Sequence, residues 1–170
     1  MNLKRIVFGG GCFWGVEAYF KRLKGVTKTT VGYANGNKEN PTYEELKLHI
    51  ATHVEACEIY YDSQVISLEV LLRHLFRIIN PYTLNRQGHD IGIQYRSGIY
   101  YKDNDDLKII QTFIENEQKN DLRRIVVEVK LEQEYYLAED YHQDYLTKNP
   151  NGYCHVDLRL LRNEETKENQ

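Results

Sequence analysis

An α+β domain is the fold class that this sequence predicts: one two-layer sandwich of helices on a mixed sheet, with a thiol at a strand-to-helix turn. Three observations lead there. Apolar residues recur at spacing two in some segments and at helical spacing in others. The two kinds of segment interleave in the order βα, ββα, βα, β, α, with one adjacent strand pair, which suits a sandwich better than a doubly wound sheet. A chain of 170 residues, 41% hydrophobic and 28% charged, is long enough for one sizeable core and marginal for two.

Each element has a local cause. Residues 5–8 read as a short buried strand that stops at Gly9-Gly10-Gly11. A helix starts near Cys12, with Val16, Tyr19, Phe20 and Leu23 at helical spacing and Gly25 at its end. Residues 26–33, rich in Val and Thr, read as a strand, and 34–41 as a turn-rich loop. Residues 54–61 alternate as a strand. Ser67 caps the clearest helix, whose stripe is Leu68, Leu71, Leu72, Leu75, Phe76 and Ile79, and Pro81 forbids its continuation. After a polar loop over 82–94, a strand is predicted at 95–101, a helix at 103–119, a strand at 125–131 and a short helix at 138–148. The single catalytic domain is expected to span 1–162, with 163–170 a frayed polar tail.

Composition excludes several classes. The net charge is −3 and no basic run stands out, which argues against nucleic acid as a partner. No apolar run approaches membrane-spanning length, and the N-terminus lacks the apolar core and cleavage site of a signal peptide, so a cytoplasmic protein is expected; a monomer is the separate expectation for its assembly. Three cysteines, Cys12, Cys57 and Cys154, with no Cys-x-x-Cys pair, make neither a disulfide scaffold nor a zinc ribbon.

Cys12 lies where backbone N–H groups are unpaired and partially positive, a place that lowers a thiol pKa. The preceding glycines permit a sharp turn and leave the sulfur uncrowded. Phe13 and Trp14 cannot both point inward, so one ring is expected to line an opening beside the thiol. A buried structural cysteine is the competing reading.

The run Gly11-Cys12-Phe13-Trp14-Gly15-Val16-Glu17 resembles the signature of A-type peptide methionine sulfoxide reductases. Val31-Gly-Tyr33, Asn40-Pro-Thr-Tyr43, His53-Val-Glu55, Tyr61-Asp62, the segments 90–97 and 138–146, and Asn149-Pro-Asn-Gly-Tyr-Cys154 are similar to further family segments, in the family's order. The resemblance covers residues 5 to about 160. It implies reduction of methionine S-sulfoxide, free or in peptides and oxidised proteins, with no bound cofactor or metal. It implies that Cys12 attacks the sulfoxide sulfur, that Glu55 is the proton donor, and that Tyr43 and Tyr95 hydrogen-bond the oxygen. Asp90 belongs to the polar edge of the site, and Phe13 and Trp14 hold the substrate methyl. Cys154 then resolves the Cys12 sulfenic acid as a disulfide, which thioredoxin, or a dithiol such as DTT in vitro, reduces.

Two departures stand out. No cysteine follows Cys154, so the resemblance implies a Cys12–Cys154 disulfide. Thr52 and Val54 stand where relatives carry Gly and Ala, near Glu55, and bear on substrate preference. Cys57 shares a strand face with Glu55 and reads either as a third redox thiol or, more simply, as an apolar strand residue. A Cys–His hydrolase using His142 or His53 and a metal-binding module are the alternatives; neither would consume a dithiol per turnover.

Overall fold

The computed structural model describes residues 2–167. Its order is β1 (Leu3–Gly9), α1 (Phe13–Phe20), β2 (Val26–Ala34), α2 (Tyr43–Lys47), β3 (Val54–Asp62), α3 (Leu68–Ile78), β4 (Arg86–Gln87), β5 (Asp90–Ile91), β6 (Gly98–Tyr101), α4 (Asn104–Gln118), β7 (Glu128–Leu131), β8 (Tyr135–Leu137) and α5 (Tyr145–Lys148). Six strands form one sheet in the order β7-β6-β1-β3-β2-β8, and β4 and β5 form a separate ribbon. The β6–β7 pair is parallel and the other pairs are antiparallel, which makes the sheet mixed, as the sequence predicts.

The strands alternate because the main core lies on one sheet face. Phe8, Cys57, Ile59 and Tyr61 point into it, against Phe20 of α1 and Leu71, Leu72 and Leu75 of α3. The other face buries a smaller set, Val7, Ala34, Val54, Ala56 and Tyr100. Ser67 caps α3 by accepting from the Val70 N–H at 3.2 Å. Helix α1 is buried nearly all round. One side faces the sheet. Its Gly15 instead faces the chain after α5, where Cys154, His155 and Val156 close over it.

Several predicted elements change shape. A single helix over 138–148 does not form. Ala138 leaves β8, a 3-10 turn covers Asp140–His142, and α5 keeps only four residues. Asp144 has φ 53°, which breaks the helix before α5. Tertiary hydrogen bonds outweigh helix propensity here: the Gln143 amide accepts from Val31 N–H (2.9 Å) and donates to Val31 O (2.7 Å), and Asp144 N–H donates to Glu17 Oε1 (2.7 Å). The strand at 95–101 shortens to β6 because Ile93–Tyr95 is a 3-10 turn, and the strand at 125–131 shortens to β7, Glu128–Leu131.

The expected frayed tail is instead docked over 163–167. Glu165 takes two hydrogen bonds from Arg77, at 2.8 and 2.9 Å, Leu23 bridges to Thr166, and Lys167 N–H donates to Arg22 O. Residues 168–170 lie outside the described residues. Among the described residues no helix is long and apolar enough to cross a membrane.

Candidate active site

The end of β1 builds the site. Gly9 pairs with Ala56 of β3 on one side and Gly98 of β6 on the other, so the following turn emerges at the centre of the sheet. Gly11, with φ 86°, reverses the chain. Cys12 then forms the N-cap of α1, with no side-chain cap of its own, and is 8% exposed.

The glycines do more than expose a sulfur. A Cβ on Gly11 would fall 2.8 Å from both Gln87 Cβ and His155 Nε2. One on Gly15 would fall 3.2 Å from Cys154 Sγ. They are bare because the chain carrying the second thiol packs directly on them.

The resting Cys12 thiol is not acidified, contrary to the expectation from its helix start. Burial pushes its pKa well up, and the nearby Glu55 and Asp90 carboxyls push the same way; the Trp14 backbone N–H offsets only part. The sulfur is too dry for the helix end to win.

Glu55 comes from β3, opposite Tyr33 of β2, and is 2% exposed. Its Oε1 accepts from Phe13 N–H at 3.2 Å, one residue from Cys12. Burial raises its pKa to about 8; the Phe13 hydrogen bond lowers it somewhat, and Asp90 raises it again. The side chain therefore holds its proton at neutral pH.

Tyr43, the first residue of α2, and Tyr95, the last of a 3-10 turn, stand beside it. Both hydroxyls are held protonated, Tyr43 near a pKa of about 12, first by burial and then by the Glu55 and Cys12 charges, which reach both rings. Helix α2 has its own cause: Thr42 and Glu45 cap it reciprocally, and Glu139 accepts from Tyr43 N–H at 3.1 Å. Asp90, from β5, accepts from Tyr153 O–H at 2.8 Å, joining the ribbon to the Cys154 segment.

Phe13 is buried, its ring 5.8 Å from Tyr33 and 5.2 Å from His142. Trp14 is half-buried, stacked on Tyr145 at 3.7 Å and 7°, and its indole N–H donates to His142 Nδ1 at 3.1 Å. The two rings divide, Phe13 fully buried and Trp14 half-buried against Tyr145. Cys154 is half-buried; its thiol donates to Val156 O at 3.2 Å, and burial raises its pKa.

The eight residues singled out from the sequence meet around one turn. Sequence reasoning named His142 only as a hydrolase base and missed it, together with Tyr145, as a partner of the Trp14 ring; it also missed Tyr153 and His155. The first two were hidden by the wrong helix over 138–148; Tyr153 and His155 flank Cys154 and are legible only as its neighbours.

Cys57 is fully buried in the main core, and burial holds its thiol well above the ordinary range, as suits an apolar strand residue. His142 Nδ1 is taken by Trp14 and His53 Nε2 by Lys38 O, so neither proposed base is hydrogen-bonded to Cys12. Among the described residues no group of three or more His, Cys, Asp or Glu could hold a metal.

Comparison with known proteins agrees with this geometry. A family model described as peptide methionine sulfoxide reductase matches residues 4–170. A peptide methionine sulfoxide reductase MsrA from Clostridium botulinum (strain Loch Maree / Type A3) is 54% identical over 156 residues, covering 92% of this chain and 99% of that one. The crystal structure of Mxr1 from Saccharomyces cerevisiae in reduced form superposes with a TM-score of 0.85 at 36% identity, covering 92% of each chain. Mxr1 in complex with Trx2 superposes at 0.61 with 27% identity, covering 85% of each. A buried carboxyl beside a helix-start thiol, a second thiol packed against the same turn, and these likenesses lead to one conclusion: the chain belongs to the peptide methionine sulfoxide reductase family.

Proposed function

We propose that this thiol-dependent peptide-methionine (S)-S-oxide reductase works through Cys12, Glu55 and Cys154, with Phe13, Trp14, Tyr43, Asp90 and Tyr95 binding the substrate. The observation that carries the reading is Glu55: a buried carboxyl that keeps its proton to about pH 8, one residue from the thiol. A sulfoxide oxygen is a poor leaving group until protonated, so a neutral-pH proton donor is what the reaction lacks without a protein.

The methyl of the substrate rests against Phe13 and Trp14, whose rings are fixed by Tyr33, His142 and Tyr145. Tyr43 and Tyr95 donate to the sulfoxide oxygen. Cys12 sulfur attacks the sulfoxide sulfur and gives up its proton while Glu55 protonates the oxygen. Oxygen passes to Cys12, methionine departs and a sulfenic acid remains; overall no proton is consumed. Cys154 then displaces the oxygen as water and forms the Cys12–Cys154 disulfide.

Recycling needs a dithiol. The Mxr1 complex with Trx2 supports thioredoxin in that role, with DTT as a substitute in vitro. Oxidised proteins, peptides and free methionine S-sulfoxide are the proposed substrates. The cytoplasm, whose reducing poise suits three free cysteines, is the proposed compartment. Residues 1–162 form the proposed catalytic domain of a monomer, with 163–167 as its clasp.

The test is a single-turnover reaction. Reduced protein is mixed with excess methionine S- or R-sulfoxide and no reductant, methionine is counted and disulfides are mapped by mass spectrometry. About one methionine per chain from the S epimer, with a Cys12–Cys154 bond, is expected. Methionine without that bond would remove Cys154 from the relay, and no methionine from either epimer would overturn the reading.

A further inference from the structure

The imidazole of His155 is the least explained group near the site. Its Nε2 lies 2.8 Å from Gly10 O, on the turn that precedes Cys12. A carbonyl only accepts, so Nε2 carries the hydrogen and Nδ1 is left with a bare lone pair. That Nδ1 is buried and has no partner among the described residues. A buried acceptor left unmade is costly, so its retention calls for a use.

The second thiol packs in the same space as Nδ1. An ideal Cβ on Gly15 would lie 3.3 Å from His155 Nδ1 and 3.2 Å from Cys154 Sγ, so the nitrogen and the second thiol pack against the same point of α1. At rest the Cys154 thiol donates to Val156 O, an acceptor that cannot take its proton away. Burial also keeps that thiol protonated. The disulfide step nevertheless requires a thiolate.

We propose that His155 is the general base of the second half-reaction, taking the Cys154 thiol proton at Nδ1 while its Nε2–H stays anchored to Gly10. The step balances. Nδ1 accepts the proton, Cys154 sulfur attacks Cys12 sulfur, and the sulfenic oxygen leaves with its own hydrogen. The imidazolium returns the proton to that hydroxide, and water and neutral His155 result. The Cys12 sulfur is reduced and the Cys154 sulfur oxidised, with no other reactant.

The anchor explains the glycines in a way that thiol exposure does not, because side chains on Gly11 or Gly15 would drive His155 off the turn. The titratable groups facing the ring are few: Asp90 from β5, Cys12 beside Gly11 on the turn, and Cys154 on its own segment. Burial holds the imidazole below its usual pKa, with the Gly10 carbonyl and the Asp90 charge opposing, so the base is free at neutral pH.

The proposal rests on the Cys12–Cys154 relay, and the experiment separates the two. Reduced protein is mixed rapidly with methionine S-sulfoxide and quenched over time, from pH 5 to 8. Methionine and the disulfide are followed in the same samples for the wild type and His155→Gln. The Gln amide can still donate to Gly10 O but offers no base at Nδ1. The expected result is a disulfide step slowed about 100-fold relative to methionine release. The wild-type disulfide rate should be flat at neutral pH and fall only on the acid side of the ordinary imidazole range; the variant's should climb tenfold per pH unit with the thiolate fraction. Equal slowing of both steps, or an unchanged ratio, would overturn the assignment. So would a wild-type disulfide rate climbing tenfold per unit throughout, which needs no folded variant. A wild type that releases methionine but never forms the bond refutes the relay itself.

Discussion

Replacing Glu55 by Gln should make the protein less active and, relative to the parent, increasingly stable as pH rises from about 4.5 to about 8. Folding raises this carboxyl from 4.5 to about 8, mainly by burial. A group whose pKa rises on folding binds its proton more tightly in the native chain, so native stability is lost as pH climbs from about 4.5 to about 8. The full loss is about 5 kcal/mol at 1.36 kcal/mol per unit. Glutamine carries no charge to desolvate, and its oxygen can still accept from Phe13 N–H. Any unmet hydrogen bond of its NH2 costs the same at every pH and cancels between conditions. Urea unfolding at pH 5 and pH 9, in a Cys12→Ser background so that the thiol does not titrate, should show the Gln substitution gaining about 4 kcal/mol between the two. An equal difference at both pH values would refute a buried carboxyl protonated at neutrality. In the parent enzyme kcat/KM should fall as pH rises through about 8, and Glu55→Gln should cost about 10²–10⁴-fold in rate.

Cys12→Ser should abolish methionine formation from S-sulfoxide, while Cys154→Ser should give about one methionine per chain and then stall with thioredoxin, as product counting in each variant will show. Gly15→Ala places a methyl 3.1–3.3 Å from Val156, Cys154 and His155, and should slow disulfide formation relative to methionine release in quenched time courses. Glu165→Gln removes the charge that Arg77 grips with two hydrogen bonds and should cost about 1 kcal/mol in urea unfolding. Leu71→Ala empties a fully buried site in α3 and should cost about 2–5 kcal/mol in the same assay.

The sequence was most legible where one local cause dominates. The Leu68–Leu75 stripe with its Ser67 cap and Pro81 stop appears as α3, and the glycine run before Cys12 as the end of β1. Helix α2 was also readable, because Thr42 and Glu45 form a capping box that a reading of 34–41 as a loop stopped just short of. What could not be read depends on distant partners. Gln143 and Asp144 look helical in isolation and are pulled out of a helix by Val31 and Glu17. The tail looks frayed because Arg77, its holder, lies in α3. The site followed the same division. Its residue types came from motifs, whereas the high Cys12 pKa came from burial and the Glu55 and Asp90 charges, which no spacing reveals.

The segment bearing the second thiol is moored at both ends. Glu17 holds the Asp144 backbone before it, and Arg77 holds Glu165 after it. Cys154 therefore cannot diffuse away from the turn even when its own contacts loosen. Tethering of this kind gives a group an effective concentration of millimolar or more at its target. In the proposed relay, a small thiol in the surroundings competes for the Cys12 sulfenic acid only at its bulk concentration. The two moorings thus act as a kinetic filter, steering the oxidised enzyme into an internal disulfide before it can be captured as a mixed one.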